Sequence, residues 1–154
     1  EGVSLAPVIR DDERMPDLAF YGETSYLFYE RKIPGETPLH IPPMDETTFI
    51  DPEFDYHFVL KPKYRQAVLD TKERAVRTNR FKFVRTPGMI RPIERLFDLN
   101  ADPHCERDVK EEFPMVKERM AVALEEWWNN RREMRISEIF TSPALMKLEE
   151  EPAQ

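Results

Sequence analysis

Cysteine is nearly absent from the sequence, which has one among 154 residues, Cys105. A single cysteine cannot form a disulfide within the chain, and it excludes a structural zinc site built from several thiolates. Long apolar runs are also missing, because no stretch approaches the roughly 20 residues that span a bilayer. Residues 1–15 lack the basic and apolar regions of a secretory signal peptide. The sequence therefore predicts no membrane association, and it leaves the cellular compartment open.

Charge and apolar content are both substantial. Charged residues make up 34% of the chain and apolar residues 40%, a balance that fits one soluble domain with a moderate core. Because the sequence begins at Glu1 rather than at a methionine, we expect it to be part of a longer protein.

The charge is unevenly distributed along the chain. The net charge is −7, yet residues 61–91 hold ten basic residues and only two acidic ones, Asp70 and Glu73. Such a block is either a solvated face balanced by local carboxylates or a surface that binds an anion. The general behaviour of surface charge favours the solvated face. Nucleic acid is not the expected anion, because no stacking-aromatic signature or recognition helix accompanies the block.

The stretch RLFDLNADPHCERDV, residues 95–109, places His104 and Cys105 among several carboxylates. A metal site would need further histidine or cysteine ligands at zinc spacing, and a catalytic thiol would need a positioned base. Asn100 and Asp102 suit a turn, since their side chains can bond nearby backbone amides. Asp108 lies where it can organise the next segment. The pattern favours a structural turn, and we assign no catalytic or metal residue.

The apolar pattern predicts an α+β fold. Short strands are expected at 17–24, 74–78, 81–85 and 95–99, forming a small antiparallel sheet of about four strands. A C-terminal helix from Pro114 should cover that sheet, with Trp127 facing it and deeply buried, and Trp128 turned away.

Three segments are expected to lack regular structure. Residues 1–16 read as an irregular lead-in, and residues 141–154 as a polar tail. Between Tyr26 and Lys63, six prolines predict a long loop, which aromatic side chains pin to a surface.

The order of several motifs resembles the closing segment of sulfatases in the alkaline-phosphatase-like superfamily. Phe81-Lys82-Phe83 matches an aromatic-Lys-aromatic strand, and the run Leu96 to Leu99 matches a Leu-Tyr-Asp-Leu strand that precedes an Asp-Pro turn and a helix. GVSLAPVI (2–9) and FYGET (20–24) are similar to upstream parts of the same segment. Cys105 departs from the usual Glu, and Asp108-Val109 from the usual Asn-Leu. The resemblance implies that residues 17–140 are a sulfatase-like C-terminal domain.

The resemblance also locates the chemistry elsewhere. Such sulfatases use a formylglycine made within a Cys/Ser-x-Pro-x-Arg motif, together with a calcium ion. Cys105 is followed by Glu106-Arg107-Asp108, and Ser142-Pro143 has the wrong spacing. The resemblance thus implies that nucleophile and calcium belong to a missing N-terminal part, and that this chain alone is inactive.

The resemblance leaves this chain a supporting role. We expect it to pack beside the catalytic domain and to wall a cleft for a sulfated small molecule or glycan, with Arg74, Arg77 and Lys82 as candidate substrate-binding residues. The sequence fits a purely structural role equally well, in which these cations pair with carboxylates. A phosphonate or phosphate monoester hydrolase of the same superfamily and a non-enzymatic module for an anionic partner remain alternatives. Cut from its partner domain, the chain should rebind it or self-associate.

Overall fold

A computed structural model of the chain describes residues 6–11, 17–24, 32–130 and 133–151. These ranges contain six α-helices: α1 (Ala6–Asp11), α2 (Met44–Thr47), α3 (Arg65–Asp70), α4 (Pro114–Asn130), α5 (Ile136–Ile139) and α6 (Pro143–Glu150). They also contain six strands: β1 (Phe20–Glu23), β2 (Thr48–Asp51), β3 (His57–Leu60), β4 (Arg74–Arg77), β5 (Phe81–Thr86) and β6 (Ile93–Asp98). Short 3-10 turns lie at Pro52–Phe54 and Pro62–Tyr64.

The strands form two sheets. Strands β1, β4, β5 and β6 make a four-stranded antiparallel sheet in the order β1-β4-β5-β6, and β2 pairs with β3 in a separate hairpin. Together with the long helix α4, this arrangement confirms the predicted α+β class and the predicted small sheet.

Two backbone hydrogen bonds set the register of the central hairpins. Thr78 N donates to Phe81 O at 2.9 Å, and Leu99 N donates to Arg80 O at 2.7 Å. In that register Val76 lies opposite Phe83, and Phe83 lies opposite Leu96. All three are 0% exposed, so this face of the strands packs into the core, and Val84 and Phe97 on the opposite face are buried as well.

Helix α4 contributes the other half of that core. Val116, Met120 and Leu124 recur at helical spacing and are buried in one cluster with the apolar face of the sheet. A fully buried aliphatic side chain of this size contributes about 1.5–3 kcal/mol relative to exposure. The helix therefore gains its stability mainly from this buried stripe.

Neither tryptophan is deeply buried, contrary to the expectation for Trp127. Trp127 packs partly buried on the core and stacks on Tyr21, with ring centroids 5.3 Å apart. Tyr21 belongs to β1, the edge strand of the sheet, so part of the indole stays exposed. Burial raises the pKa of Tyr21 to about 12.

The C-terminal segment differs from the expected polar tail. Ser142 Oγ accepts a hydrogen bond from Leu145 N at 3.3 Å and caps α6, with Pro143 at its first position. Leu145 is 3% exposed and belongs to the core cluster. Because a run of glutamates follows, the segment was predicted to be polar, and the short apolar stripe of α6 was not recognised. The lead-in of residues 1–16 likewise includes a helix, α1.

The proline-rich segment also contains more regular structure than expected. Strands β2 and β3 pair from Thr48 opposite Leu60 to Asp51 opposite His57. Prolines lie before α2, in the turn between the strands and after β3, where a missing backbone donor costs little. Residues 26–31 of the predicted loop lie outside the described residues.

The chain divides into two compact units. Unit 1 comprises residues 1–22, 75–84 and 95–154, and unit 2 comprises residues 23–74 and 85–94. The predicted domain of residues 17–140 spans parts of both. The candidate site residues are therefore considered unit by unit.

Candidate functional site

Arg77 and Lys82 are the two predicted cations that the fold brings together. The register that pairs Thr78 with Phe81 places Arg77 opposite Lys82, on the sheet face that points away from Val76 and the apolar core. Arg77 is exposed and Lys82 is half-buried. Neither side chain hydrogen-bonds to, or pairs with, a carboxylate of the described residues. Two adjacent ammonium and guanidinium groups can hold an anion by charge and hydrogen bonding.

Arg74 has a different environment. Arg74 is three residues from Arg77, so its side chain points to the opposite face of the sheet. Arg74 also belongs to unit 2, whereas Arg77 belongs to unit 1. Its Nε lies 3.6 Å from Glu23 Oε2, and its Nη2 donates to Leu69 O at 3.1 Å. Glu23 also pairs with Lys72 at 2.8 Å. Arg74 is thus held by local acceptors, which is the structural role that competes with substrate binding.

Much of the basic block is balanced in the same way. Arg85 pairs with Glu94 at 2.8 Å, and Arg91 lies 3.8 Å from Glu36. Half of the ten cations in residues 61–91 therefore pair with carboxylates: Lys72, Arg74, Arg80, Arg85 and Arg91. Of the three predicted substrate-binding cations, Arg77 and Lys82 remain candidates for binding an anion.

Sequence reasoning missed Arg95, which lies on the same sheet face as Lys82. The register of β5 and β6 places Phe97 opposite Lys82, and the Arg95 guanidinium lies 5.5 Å from the Phe97 ring centroid. The basic block recognised in the sequence ends at residue 91, so it does not include Arg95. Period-two alternation through β6 would have added Arg95 to the face.

The polar stretch after β6 is a structural turn, as the sequence predicted. Asp102 Oδ2 accepts from Arg107 N at 2.8 Å, and Asp108 Oδ1 accepts from Leu96 N at 3.0 Å and from Lys110 N at 3.1 Å. Cys105 takes a left-handed backbone conformation, with φ of 59°. Within the described ranges, no group of three or more histidine, cysteine or acidic side chains could hold a metal ion.

A buried ionic cluster in unit 1 was not foreseen. Arg80 Nη2 donates to Asp98 Oδ2 at 2.7 Å, and Arg80 Nη1 donates to the Leu148 carbonyl at 2.5 Å. Glu149 accepts from Arg80 N and from the Thr78 hydroxyl, both at 2.9 Å. These contacts attach helix α6 to the β4–β5 turn. The cluster therefore has a structural function, and its side chains are already satisfied.

The pKa values of the two carboxylates in this cluster, Glu149 and Asp98, are shifted in opposite directions. Burial is the largest influence on both and raises the pKa of Glu149, because the bonds to Arg80 N and Thr78 only partly offset it. For Asp98, burial acts in the same direction, but hydrogen bonds and charge from Arg80, with the Asn100 amide, outweigh it and lower the pKa. Asp98 is thus the counter-ion of Arg80.

Unit 2 carries a second notable surface, on the β2–β3 hairpin. Five large apolar side chains there are between 41% and 72% exposed: Phe49, Ile50, Phe54, Tyr56 and Phe58. Ile50 and Phe58 pair on one face of the hairpin, and Phe49 lies on the other face. Large apolar side chains left exposed in one segment are typical of interaction surfaces. We call these five side chains the hairpin patch.

Comparisons of the chain with family models, with curated proteins and with solved structures find no match. In the part of the chain that the structure describes, no helix is both long enough and apolar enough to cross a bilayer.

Proposed function

We propose that this chain is the C-terminal portion of a sulfatase-like hydrolase of sulfate esters, which supports a catalytic domain and walls its substrate cleft. The observation that carries the proposal is the order of elements. The aromatic-Lys-aromatic run occupies β5, the Leu-Phe-Asp-Leu run closes β6, an Asp-Pro turn follows, and α4 packs its apolar stripe into the same core. That is the order which the resemblance implies.

Two cations of unit 1 supply the substrate-binding part of the proposal. Arg77 and Lys82 lie side by side without a carboxylate partner among the described residues, so their charge is available to a sulfate ester. Arg74 makes a smaller contribution, because Glu23 and the Leu69 carbonyl already bind it. The ligand class is a sulfated small molecule or glycan.

The remaining parts of the enzyme are assigned to N-terminal sequence outside this chain. The nucleophile would be a formylglycine there, with a calcium ion beside it, and the described residues carry neither role. The hairpin patch of unit 2 suits the contact with that domain, because its apolar side chains gain stability when a partner covers them.

The test compares the complete protein with the isolated chain, using 4-nitrophenyl sulfate. The complete protein should hydrolyse it, and the isolated chain should stay at background. In the complete protein, the double variant Arg77→Gln/Lys82→Gln should raise KM about tenfold with little change in kcat, the loss expected for about 1.4 kcal/mol of ground-state binding. Arg91→Gln, which removes an exposed cation of unit 2, is the matched control and should leave KM unchanged.

Two results would overturn the proposal. One is the absence of sulfate ester hydrolysis by the complete protein. The other is turnover by the isolated chain that survives repurification and is lost on substitution of Cys105 or His104, because the nucleophile would then be in this chain.

The same cations also favour a second candidate, since Arg77 and Lys82 attract a phosphate as well as a sulfate. Hydrolysis of 4-nitrophenyl phosphate or of a phosphonate monoester, in preference to the sulfate, would identify a related hydrolase of the same superfamily. Binding of an anionic protein or polysaccharide without any turnover by the complete protein would identify a non-enzymatic module.

A further inference from the structure

Unit 2 contains a groove between strand β3 and helix α3. Its volume is about 540 Å³, which lies within the range of roughly 300–1,000 Å³ that is usual for small-molecule sites. Phe58 and Leu60 line it from β3, and Val68 and Leu69 line it from α3. The groove therefore combines apolar side chains on both walls with a comparable share of polar surface, as in sites that bury the body of a small ligand and bind its polar group.

Both walls are held by backbone contacts. On the strand side, Phe58 pairs with Ile50, and Lys61 N donates to Thr47 O at 2.9 Å just after β3 ends. On the helix side, Thr71 N donates to Ala67 O at 3.1 Å, and the Thr71 hydroxyl donates to Val68 O at 3.0 Å. Each wall is thus ordered by contacts of its own, which lowers the entropic cost of binding a ligand against it.

Two cations, Lys72 and Arg65, line the groove, and among the described residues only Lys72 pairs with a carboxylate. Lys72 is neutralised by Glu23, whose Oε1 lies 2.8 Å from the ammonium nitrogen. Arg65 is exposed, lines the groove and makes no ion pair or side-chain hydrogen bond with a described residue. Its backbone is fixed at the start of α3, where Arg65 N donates to Pro62 O. Arg65 therefore places one uncompensated positive charge beside an apolar trough.

We propose that this groove binds a small amphipathic anion, with its apolar body against Phe58, Leu60, Val68 and Leu69 and its sulfonate, sulfate, carboxylate or phosphate head on Arg65. Charge complementarity selects this ligand class, because a neutral ligand would leave the guanidinium unused and a cation would be repelled. The site lies wholly in unit 2 and shares Phe58 with the hairpin patch, so it is tested on this chain alone, where the proposed catalytic domain does not cover that side chain.

The experiment uses naphthalene-2-sulfonate as the probe and 2-naphthol as a neutral probe of similar shape, with binding followed by calorimetry and by amide chemical shifts. The sulfonate should bind about tenfold more tightly than the naphthol, and it should shift amides of β3 and α3. Arg65→Gln should remove that advantage and leave naphthol binding unchanged, while Arg65→Lys should restore part of it. Naphthalene-2-carboxylate should resemble the sulfonate.

Two matched variants identify the source of the binding. Lys63→Gln removes a cation two positions away that does not line the groove, and Phe54→Ser removes an aromatic side chain of the hairpin patch. Neither should change the affinity for the sulfonate by more than about twofold. Equal weakening by Lys63→Gln would show that only net charge matters, and loss through Phe54→Ser would show that the probe sits at the turn of the hairpin rather than in the groove. Either result, or equal binding of the two probes, would overturn the proposal.

Discussion

Unit 1 buries most of its large apolar side chains, whereas unit 2 leaves many of its own in solvent. Phe81, Phe83 and Leu96 of unit 1 are 0% exposed. Among the described residues of unit 2, the buried apolar side chains are Ile41, Val68 and Ile93, while the aromatic side chains of its hairpin patch are exposed.

The difference shows two ways of ordering a chain. Unit 1 is organised by side-chain packing, which is non-directional and scales with the apolar area buried. Unit 2 relies more on prolines, turns and hydrogen bonds, such as the bond from the Thr86 hydroxyl to Glu73 and the bridge between Pro38 and Gly88. A segment ordered in this way can leave its apolar side chains available to a partner.

The largest expected effect comes from removing the same aromatic ring in each unit. Phe81→Ala should lower the free energy of unfolding by about 3–5 kcal/mol, because Phe81 is fully buried and contacts Phe113 and Phe140. Phe54→Ala, at a 63% exposed position of the hairpin patch, should change it by less than about 0.5 kcal/mol. Denaturant titration measures both. Similar losses for the two variants would erase the distinction between the units.

A smaller effect is expected from a backbone position of unit 2. A β-carbon at Gly88 would clash with the Arg91 carbonyl oxygen and approach Ile93 Cγ1 at 3.2 Å, so Gly88→Ala should cost about 1–3 kcal/mol. Gly22→Ala in strand β1 is the control, since a β-carbon there meets nothing within 4 Å. Thermal unfolding should show a lower Tm for the first variant alone. A neutral Gly88→Ala would mean that this turn is not tightly constrained.

The smallest expected effect is the pH dependence of stability that the buried Glu149 gives to unit 1. Because burial raises the pKa of Glu149 above its ordinary value of 4.5, the folded state holds that proton more tightly than the unfolded state. This contribution to stability is present below pH 4.5 and is lost as pH rises through the raised value. Urea unfolding from pH 4 to pH 8 should therefore show Glu149→Gln gaining stability relative to the parent chain as pH rises.

Two comparisons control that experiment. Glu150→Gln removes the exposed neighbouring carboxylate and should not reproduce the change. Asp98 has the opposite sign, because its lowered pKa gives stability that is lost as pH falls below its ordinary value of 3.8. A pH dependence unaffected by Glu149→Gln would contradict the burial of a carboxylate at this position.

The sheet and the long helix could be predicted because their signals are local. The alternation Phe81-Lys82-Phe83 at the start of β5 and the spacing of Val116, Met120 and Leu124 indicate directly which side chains face the core. The turn after β6 was equally readable, since Asp102 and Asp108 bond backbone amides a few residues away.

The missed features depend on partners far apart in sequence. Glu149 contacts Thr78 and Arg80 about seventy positions earlier, so neither the docking of α6 nor the satisfaction of Arg80 could be read from a local pattern. The faces of Arg74 and Arg77 required the register of the sheet. The groove beside Arg65 required the placement of α3 against β3.

We propose that the exposed hairpin patch of unit 2 binds the N-terminal catalytic domain. The direct measurement is calorimetric titration of the chain with that N-terminal portion, produced separately, at low and at high salt. We expect micromolar or tighter binding that Phe54→Ser/Tyr56→Ser weakens at both salt concentrations, because apolar burial is little affected by screening. A monomeric chain that shows no binding at micromolar concentrations, and no dye-binding apolar surface, would contradict the claim and would identify a self-sufficient module.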